Sequence, residues 1–215
     1  MIEIGTDFPY LGARDYIHGT SILAGFLDAL EAHGHHGITV KRLKFQRPAQ
    51  SNGKLTLTTK NIAAGDADSA NCAFLASVNK EVWRGAFREH GAAPTRRVTV
   101  SYPITDLRAQ GLGGTCRITA SNRDDLIRAF VEANKRFHEA GMDQAGELAV
   151  RFGYLENWTA PAHDAGFSGE LQAVNLITRN TDDGCMTINR LTYRDGAGQG
   201  ASLTLCFNVT GGVRR

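Results

Sequence analysis

The feature that most limits what this chain can fold into is the run Thr20–Ala32, TSILAGFLDALEA. Ile22, Leu23, Phe26, Leu27 and Leu30 fall at helical spacing on one wide stripe, and Gly34 and Gly37 follow as stop signals. A helix apolar over so much of its surface must be covered on most sides, and a strongly curved antiparallel sheet does that. The sequence after it supplies strands. ITVKRLKF (38–45), a turn RPAQSNG and KLTLTTKNI (54–62) alternate and are rich in β-formers, and 68–79 with 81–88 reads as a further hairpin. The expected class is α+β, and 215 residues with 42% hydrophobic content suffice for a core.

The plan then repeats. Pro94 and the Arg96-Arg97 pair precede an expected strand VTVSYPI (98–104), which divides the chain into halves 1–95 and 96–215. After a strand near 114–120, Ser121 as N-cap with Asp124 three residues on opens a second helix at about 122–140. Its run LIRAFVEAN (126–134) aligns without gaps on ILAGFLDAL (22–30), pairing Phe26 with Phe130 and Asp28 with Glu132. The likeness continues beyond the helix, because LKFQRPAQSNGKLTL (43–57) resembles LENWTAPAHDAGFSGELQAV (155–174). Strands at 147–158, 169–178, 185–193 and 201–209 complete the second half, with Asp183-Gly184 and Asp195-Gly196 as turns.

HGTSILAGFLDALEA (18–32) followed by LKFQRPAQSNGKLTL resembles the hot-dog superfamily, in which an HG pair opens the central helix and a strand with an F-x-R-P turn follows. With the repeat, the resemblance implies a double hot-dog: two central helices, each wrapped by a curved antiparallel β-sheet. It also implies an enzyme acting on acyl thioesters of coenzyme A or an acyl carrier protein. In hot-dog dehydratases and hydratases a histidine is the acid-base group, and a carboxylate from the partner helix assists it. The proline-containing histidine motif of those enzymes is absent here. Dehydration or hydration of a β-hydroxyacyl group therefore stands beside a thioesterase using a carboxylate to activate water. A non-catalytic acyl-binding or assembly module is the third alternative.

Several residues could carry such chemistry. His18 and Gly19 sit where free backbone N–H groups and the positive end of the helix macrodipole point outward, a place that suits a carbonyl oxygen. A glycine lets a ligand approach the main chain closely. His18 and Asp28 lie ten residues apart on one helix, roughly 15 Å, and cannot form a dyad. Across a pseudo-twofold axis His18 would instead meet Glu132, and the reciprocal pair would be Asn122 with Asp28. Only the first contains an imidazole, so one proton-transferring site is expected, with Asp28 and Asn122 in a vestigial or binding copy. Arg47, with Lys41, Arg42 and Lys44, makes a basic strand able to meet the phosphate of coenzyme A or of a carrier arm. His33, His35 and His36 read as an exposed helix end rather than a metal site. His163, Asp164 and Arg179 read as loop residues.

Other classes are disfavoured. A formal charge of +2 without a block of like charges gives no phosphate-backbone footprint, so nucleic acid is not the expected partner. Cys72, Cys116, Cys185 and Cys206 lie too far apart for a CxxC or zinc spacing and read as reduced, buried thiols. No Gly-rich phosphate loop, dinucleotide fingerprint, G-x-S-x-G elbow or HExxH motif occurs, and no cofactor is implied. MIEIGTDFPY has no leader pattern and no apolar run reaches bilayer length, so a cytoplasmic protein without membrane contact is expected, as monomer or homodimer.

Overall fold

α1 spans Gly19–Ala32 and is buried nearly all round: Ile22, Leu23, Ala24, Phe26, Leu27, Ala29 and Leu30 are all inside, and Asp28 is exposed. Burying each Leu, Ile or Phe of this stripe contributes about 1.5–3 kcal/mol. The computed structural model describes residues 1–62, 69–143, 149–162, 166–182, 184–198, 200–210 and 213–214. The chain divides into two units, Met1–Ser101 and Tyr102–Arg215.

In the first unit, α1 packs on an antiparallel sheet of β1 (Ile2–Gly5), β3 (Thr39–Phe45), β4 (Gly53–Thr58), β5 (Cys72–Val78) and β6 (Glu81–Glu89), in the order β1-β4-β6-β5-β3. Alternation decides which face is buried: in β5, Cys72, Phe74, Ala76 and Val78 point in. Phe26 of α1 stacks on Phe74 at 4.7 Å between centroids, and a Cβ at Gly85 of β6 would come within 2.7 Å of the Phe26 ring. Gly85 is thus the space that admits the helix's largest side chain. β5 and β6 form the expected hairpin, closed by Asn79 and Lys80, both at positive φ (49° and 70°) as a type I′ turn requires. β4 is shorter than expected and stops at Thr58.

The expected strand over 98–104 does not form. Arg97–Val98 (β7) pairs in parallel with Tyr10–Leu11 (β2), and 99–103 is not strand. Specific contacts hold the segment there: Arg97 Nη1 donates to the carbonyls of Gly12 (2.6 Å) and Arg14 (2.7 Å), and its guanidinium lies 5.2 Å from the Tyr10 ring centroid. Pro103 then precedes β8 (Ile104–Gln110), a strand the sequence reading missed.

The second unit contains β8, β9 (Gly113–Ala120), α2 (Arg123–Gly141), β10 (Met142–Asp143), β11 (Ala149–Thr159), β12 (Phe167–Thr181), β13 (Gly184–Asp195), β14 (Gly200–Thr210) and β15 (Val213–Arg214). Its antiparallel sheet runs β8-β9-β12-β13-β14-β11, and β10 pairs with β15. Residue 122 rather than 121 caps α2: Asn122 Oδ1 accepts from Asp125 N at 2.9 Å, so the Ser121–Asp124 pairing is displaced by one residue. The Asp195-Gly196 turn forms, with Asp195 Oδ1 accepting from Ala197 N. Asp183, His163 and Asp164 lie outside the described residues.

The repeat holds for the helix and the strands that flank it, and fails at the last hairpin. Taken from the strand before each helix, the orders are β1-β4-β6-β5-β3 and β9-β12-β13-β14-β11. β1, β3 and β4 occupy the stations of β9, β11 and β12, whereas the final two strands exchange places. The connections account for it. Thr181 pairs with Gly184, so β12 turns directly into an antiparallel neighbour, whereas the connection from Thr58 to Cys72 carries β5 past the place beside β4 that β6 fills. Among the described residues no helix is long and apolar enough to cross a membrane.

Candidate functional site

His18 is the N-cap of α1, with extended backbone (φ −70°, ψ 139°), and its carbonyl accepts from Ser21 N (2.9 Å) and Ile22 N (3.3 Å). Its imidazole is 7% exposed and does not cap the helix; Nδ1 and Thr20 Oγ1 are hydrogen-bonded at 2.7 Å. The ring is therefore oriented by its own helix at the end where the peptide dipoles are positive.

A chain of bonds fixes the approach to this residue. Ile17 N donates to Ala49 O at 2.7 Å, tying the helix entrance to the Pro48-Ala49 turn. Buried Asn71 organises that turn: its Nδ2 donates to Pro48 O (3.2 Å), its Oδ1 accepts from Glu89 N (3.0 Å), and its carbonyl accepts from Gln46 N (2.9 Å). Glu89 Oε2 accepts from Gln50 N at 2.7 Å and from Ser51 N at 3.3 Å. Partial burial raises the affinity of this carboxyl for a proton. The bonds from Gln50, Asn71 and Ser51, with the nearby Arg47 charge, more than offset that and hold it below its ordinary value. Asn71 and Glu89 were not found from sequence, since neither lies in a motif. Asn71→Ala is expected to lower unfolding free energy by about 1–3 kcal/mol, because Pro48 O and Glu89 N lose their side-chain partner. Urea unfolding checks this, and a change below about 0.5 kcal/mol would show that the turn holds without Asn71.

Gly19 has a second reason to be glycine. A Cβ there would meet the Phe45 ring, with Cε2 at 2.8 Å, so β3 packs its terminal aromatic against the first turn of α1. Arg47 is exposed, donates from Nη2 to Ser69 O at 2.9 Å, and acts on Glu89. Lys41, Arg42 and Lys44 are exposed on β3, where a register shift between Val40 and Arg42 interrupts the alternation. His33 closes α1 and its Nδ1 is hydrogen-bonded to Ala29 O at 2.8 Å. His33 and His36 are exposed; His35 is half-buried, its ring 4.7 Å from that of Trp83.

In the second unit, Glu132 is held by its own helix, with Oε1 accepting from Arg136 Nε at 3.1 Å. Its partner in the repeat, Asp28, is exposed on α1, and Asn122 serves as the helix cap already described. All four cysteines are free and buried, as expected, and burial pushes the thiols of Cys116 and Cys206 up to about 11.

The sequence reading missed a buried polar cluster at the other end of α2. Asn134 and His138, both fully buried, stand where the same alignment puts Leu30 of α1 and Gly34, two residues past its end. His138 Nδ1 is hydrogen-bonded to Asn134 O and Nε2 to Thr187 Oγ1, each at 2.6 Å. Asn189 Nδ2 donates to Asn134 Oδ1 (2.7 Å) and Leu112 O (2.6 Å). The signal was available: Thr187 and Asn189 occupy inward positions of β13 between Cys185 and Leu191. Beyond Leu112 lies a cleft of about 540 Å³ between the Gln110–Gly114 turn, Gly141 and Gln172–Asn175.

No protein-family model matches the chain, and no curated protein does. Solved structures do. It is similar to the dehydratase domain of RzxB from Pseudomonas fluorescens at 15% identity and TM-score 0.53, covering 96% of this chain and 94% of that one. A monomeric dehydratase domain from a trans AT polyketide synthase split module matches at 9% identity and TM-score 0.55, covering 99% of each chain. The tesB protein of Mycobacterium avium subs paratuberculosis matches at 10% identity and TM-score 0.56, covering 97% and 93%. Such identities speak for architecture rather than activity. With two helices, each packed on its own antiparallel sheet, and likenesses that span nearly the whole chain, this is a protein of the double hot-dog fold.

Proposed function

We propose that the chain is an acyl-thioester-processing enzyme, acting on an acyl group carried by coenzyme A or an acyl carrier protein, and that it removes or adds water at a β-hydroxyacyl group. The observation that carries this reading is the buried imidazole of His18 at the head of α1, oriented by Thr20. Imidazole is the side chain suited to passing a proton in general acid-base catalysis, and the dipole end beside it favours the negative charge that builds on a thioester carbonyl when the α-proton leaves. His18 takes that proton, the Gly19 region donates to the carbonyl oxygen, and Glu132, entering the step in its protonated form, gives its proton to the β-hydroxyl, so that the C–O bond breaks, water leaves and the Cα–Cβ double bond forms. Arg47 and the cations of β3 suit the phosphate of the carrier. The likeness to structures described as dehydratase domains supports the choice of reaction.

The likeness to a tesB protein favours hydrolysis as the second reading, with a carboxylate activating water at the same carbonyl. Parallel assays separate the two. A β-hydroxyacyl thioester is followed by enoyl absorbance and a saturated acyl thioester by free thiol release. Enoyl formation or consumption without thiol release supports the proposal, and thiol release alone would replace it with hydrolysis.

A further inference from the structure

The two helix heads of the repeat are finished differently. On α2, the Asn122 side chain accepts from Asp125 N at 2.9 Å, and Asp124 and Asp125 put negative charge in the first turn. These are the groups that free N–H donors and a positive dipole end call for. The aligned residues of α1 supply neither. His18 makes no side-chain cap, the first turn has no acidic residue, and Ser21 stands where α2 has Asp125. The carbonyl of His18 takes the N–H groups of Ser21 and Ile22, and those of Gly19 and Thr20 keep no acceptor among the described residues.

Ser21 adds a third donor. The residue is 5% exposed, its Oγ is buried without a hydrogen-bond partner, and no other side-chain atom of α1 is in that position. A serine in a helix commonly turns its hydroxyl to the carbonyl one turn back, and this one does not. Counting from the cap, Ser21 is the third helical residue, the one whose side chain lies toward the cap in a capping box. Its hydroxyl therefore shares a turn with the imidazole of His18, whose Nδ1 is already engaged by Thr20. A buried hydroxyl without a partner lowers stability, and this one lies in the turn that is also left uncapped.

We propose that Ser21 contacts the substrate: its hydroxyl donates to the thioester carbonyl oxygen, beside the N–H groups of Gly19 and Thr20. The inference rests on the acyl-thioester reading above and adds to it a residue and the substrate atom that residue meets. The hydroxyl keeps its proton throughout. Proton transfers stay with His18 and Glu132, and Ser21 acts through a hydrogen bond that strengthens as the oxygen becomes negative.

Ser21→Ala and Ser21→Cys test this on whichever of the two thioesters turns over. Alanine removes the hydroxyl, and cysteine keeps a similar shape with a much weaker donor. Each is expected to lower kcat about 10²–10³-fold, the usual loss for one such donor, with KM little changed. The thermal midpoint of Ser21→Ala stays level or rises, because the substitution removes a buried hydroxyl that has no partner. A purely structural serine gives the reverse, full kcat with a lower midpoint. Full kcat in Ser21→Ala, or a midpoint that falls along with kcat, overturns the proposal. If the unaltered chain turns over neither thioester, the reading of the reaction fails, and Ser21 is judged by equilibrium dialysis of the β-hydroxyacyl thioester. Weaker binding by Ser21→Ala then supports the donor, and equal binding overturns it.

Discussion

His18→Ala is expected to lower kcat on a β-hydroxyacyl thioester by about 10²–10⁴-fold, the usual contribution of a positioned acid-base group. Because the imidazole is buried and bonded to Thr20, some loss of stability accompanies the change. His18→Gln separates the two effects. It keeps a polar group of similar reach toward Thr20, so stability returns toward that of the unaltered chain, whereas an amide cannot exchange the proton and kcat stays low. Glu132→Gln is expected to be slow as well. Its ion pair with Arg136 is a partly exposed i,i+4 contact worth about 0.3–0.5 kcal/mol, so a large rate loss could not be blamed on unfolding. Asp28→Asn, on an exposed side chain, should be nearly silent. Full activity of His18→Ala on whichever substrate turns over, or a greater loss from Asp28→Asn than from Glu132→Gln, would remove His18 and Glu132 from the site.

Much of the fold was legible because burial writes periodicity into sequence. Ile22 to Leu30 sit on a helix that is covered nearly all round, and Cys72 to Val78 on a strand with one face inside; both patterns follow. β8 left no such trace, since ITDLRAQ is an exposed strand that has no reason to alternate. The cap of α2 was misplaced by one residue because Ser121 and Asn122 are both good caps, and only geometry decides that Asn122 reaches Asp125 N. The exchanged order of the last two strands was beyond reach for a different reason. A period of two tells which face is buried but not which neighbour a strand chooses, and the choice falls to the connections after Thr58 and Thr181. At the candidate site, His18 was found because it adjoins a helix start, whereas Asn71 was missed because its work is done by bonds to a turn more than twenty residues away in sequence.

His138 carries the second large effect, this time on stability. His138→Ala is expected to cost about 2–4 kcal/mol, combining a cavity beside Phe207 with the loss of partners for Asn134 O and Thr187 Oγ1. The native chain should also show a pH signature that the variant lacks. Burial lowers the proton affinity of His138, only partly opposed by its bond to Asn134 and by the Glu139 charge, so the folded state holds it neutral. Nδ1–H then donates to Asn134 O, and Nε2 accepts from Thr187. In the unfolded chain the same ring protonates near pH 6.5. Since the folded pKa is the lower one, the contribution is complete above about pH 6.5 and is lost as pH falls below it, with a limiting slope of about 1.4 kcal/mol per pH unit. If the ring does protonate in place, Thr187 can turn its own proton toward Phe207 O, 3.5 Å away, so the hydrogen-bond count survives and the cost is that of a buried charge. Glu89, with a lowered carboxyl pKa, adds its own loss of stability on acidification, but only below about pH 4.3, where an unfolded glutamate protonates. Unfolding free energies measured by denaturant between pH 7.5 and pH 4.5 keep the two apart. Stability of the unaltered chain should be level down to about pH 6.5 and fall below it, while His138→Ala, weaker throughout, stays flat there; parallel curves for the two proteins would falsify the assignment.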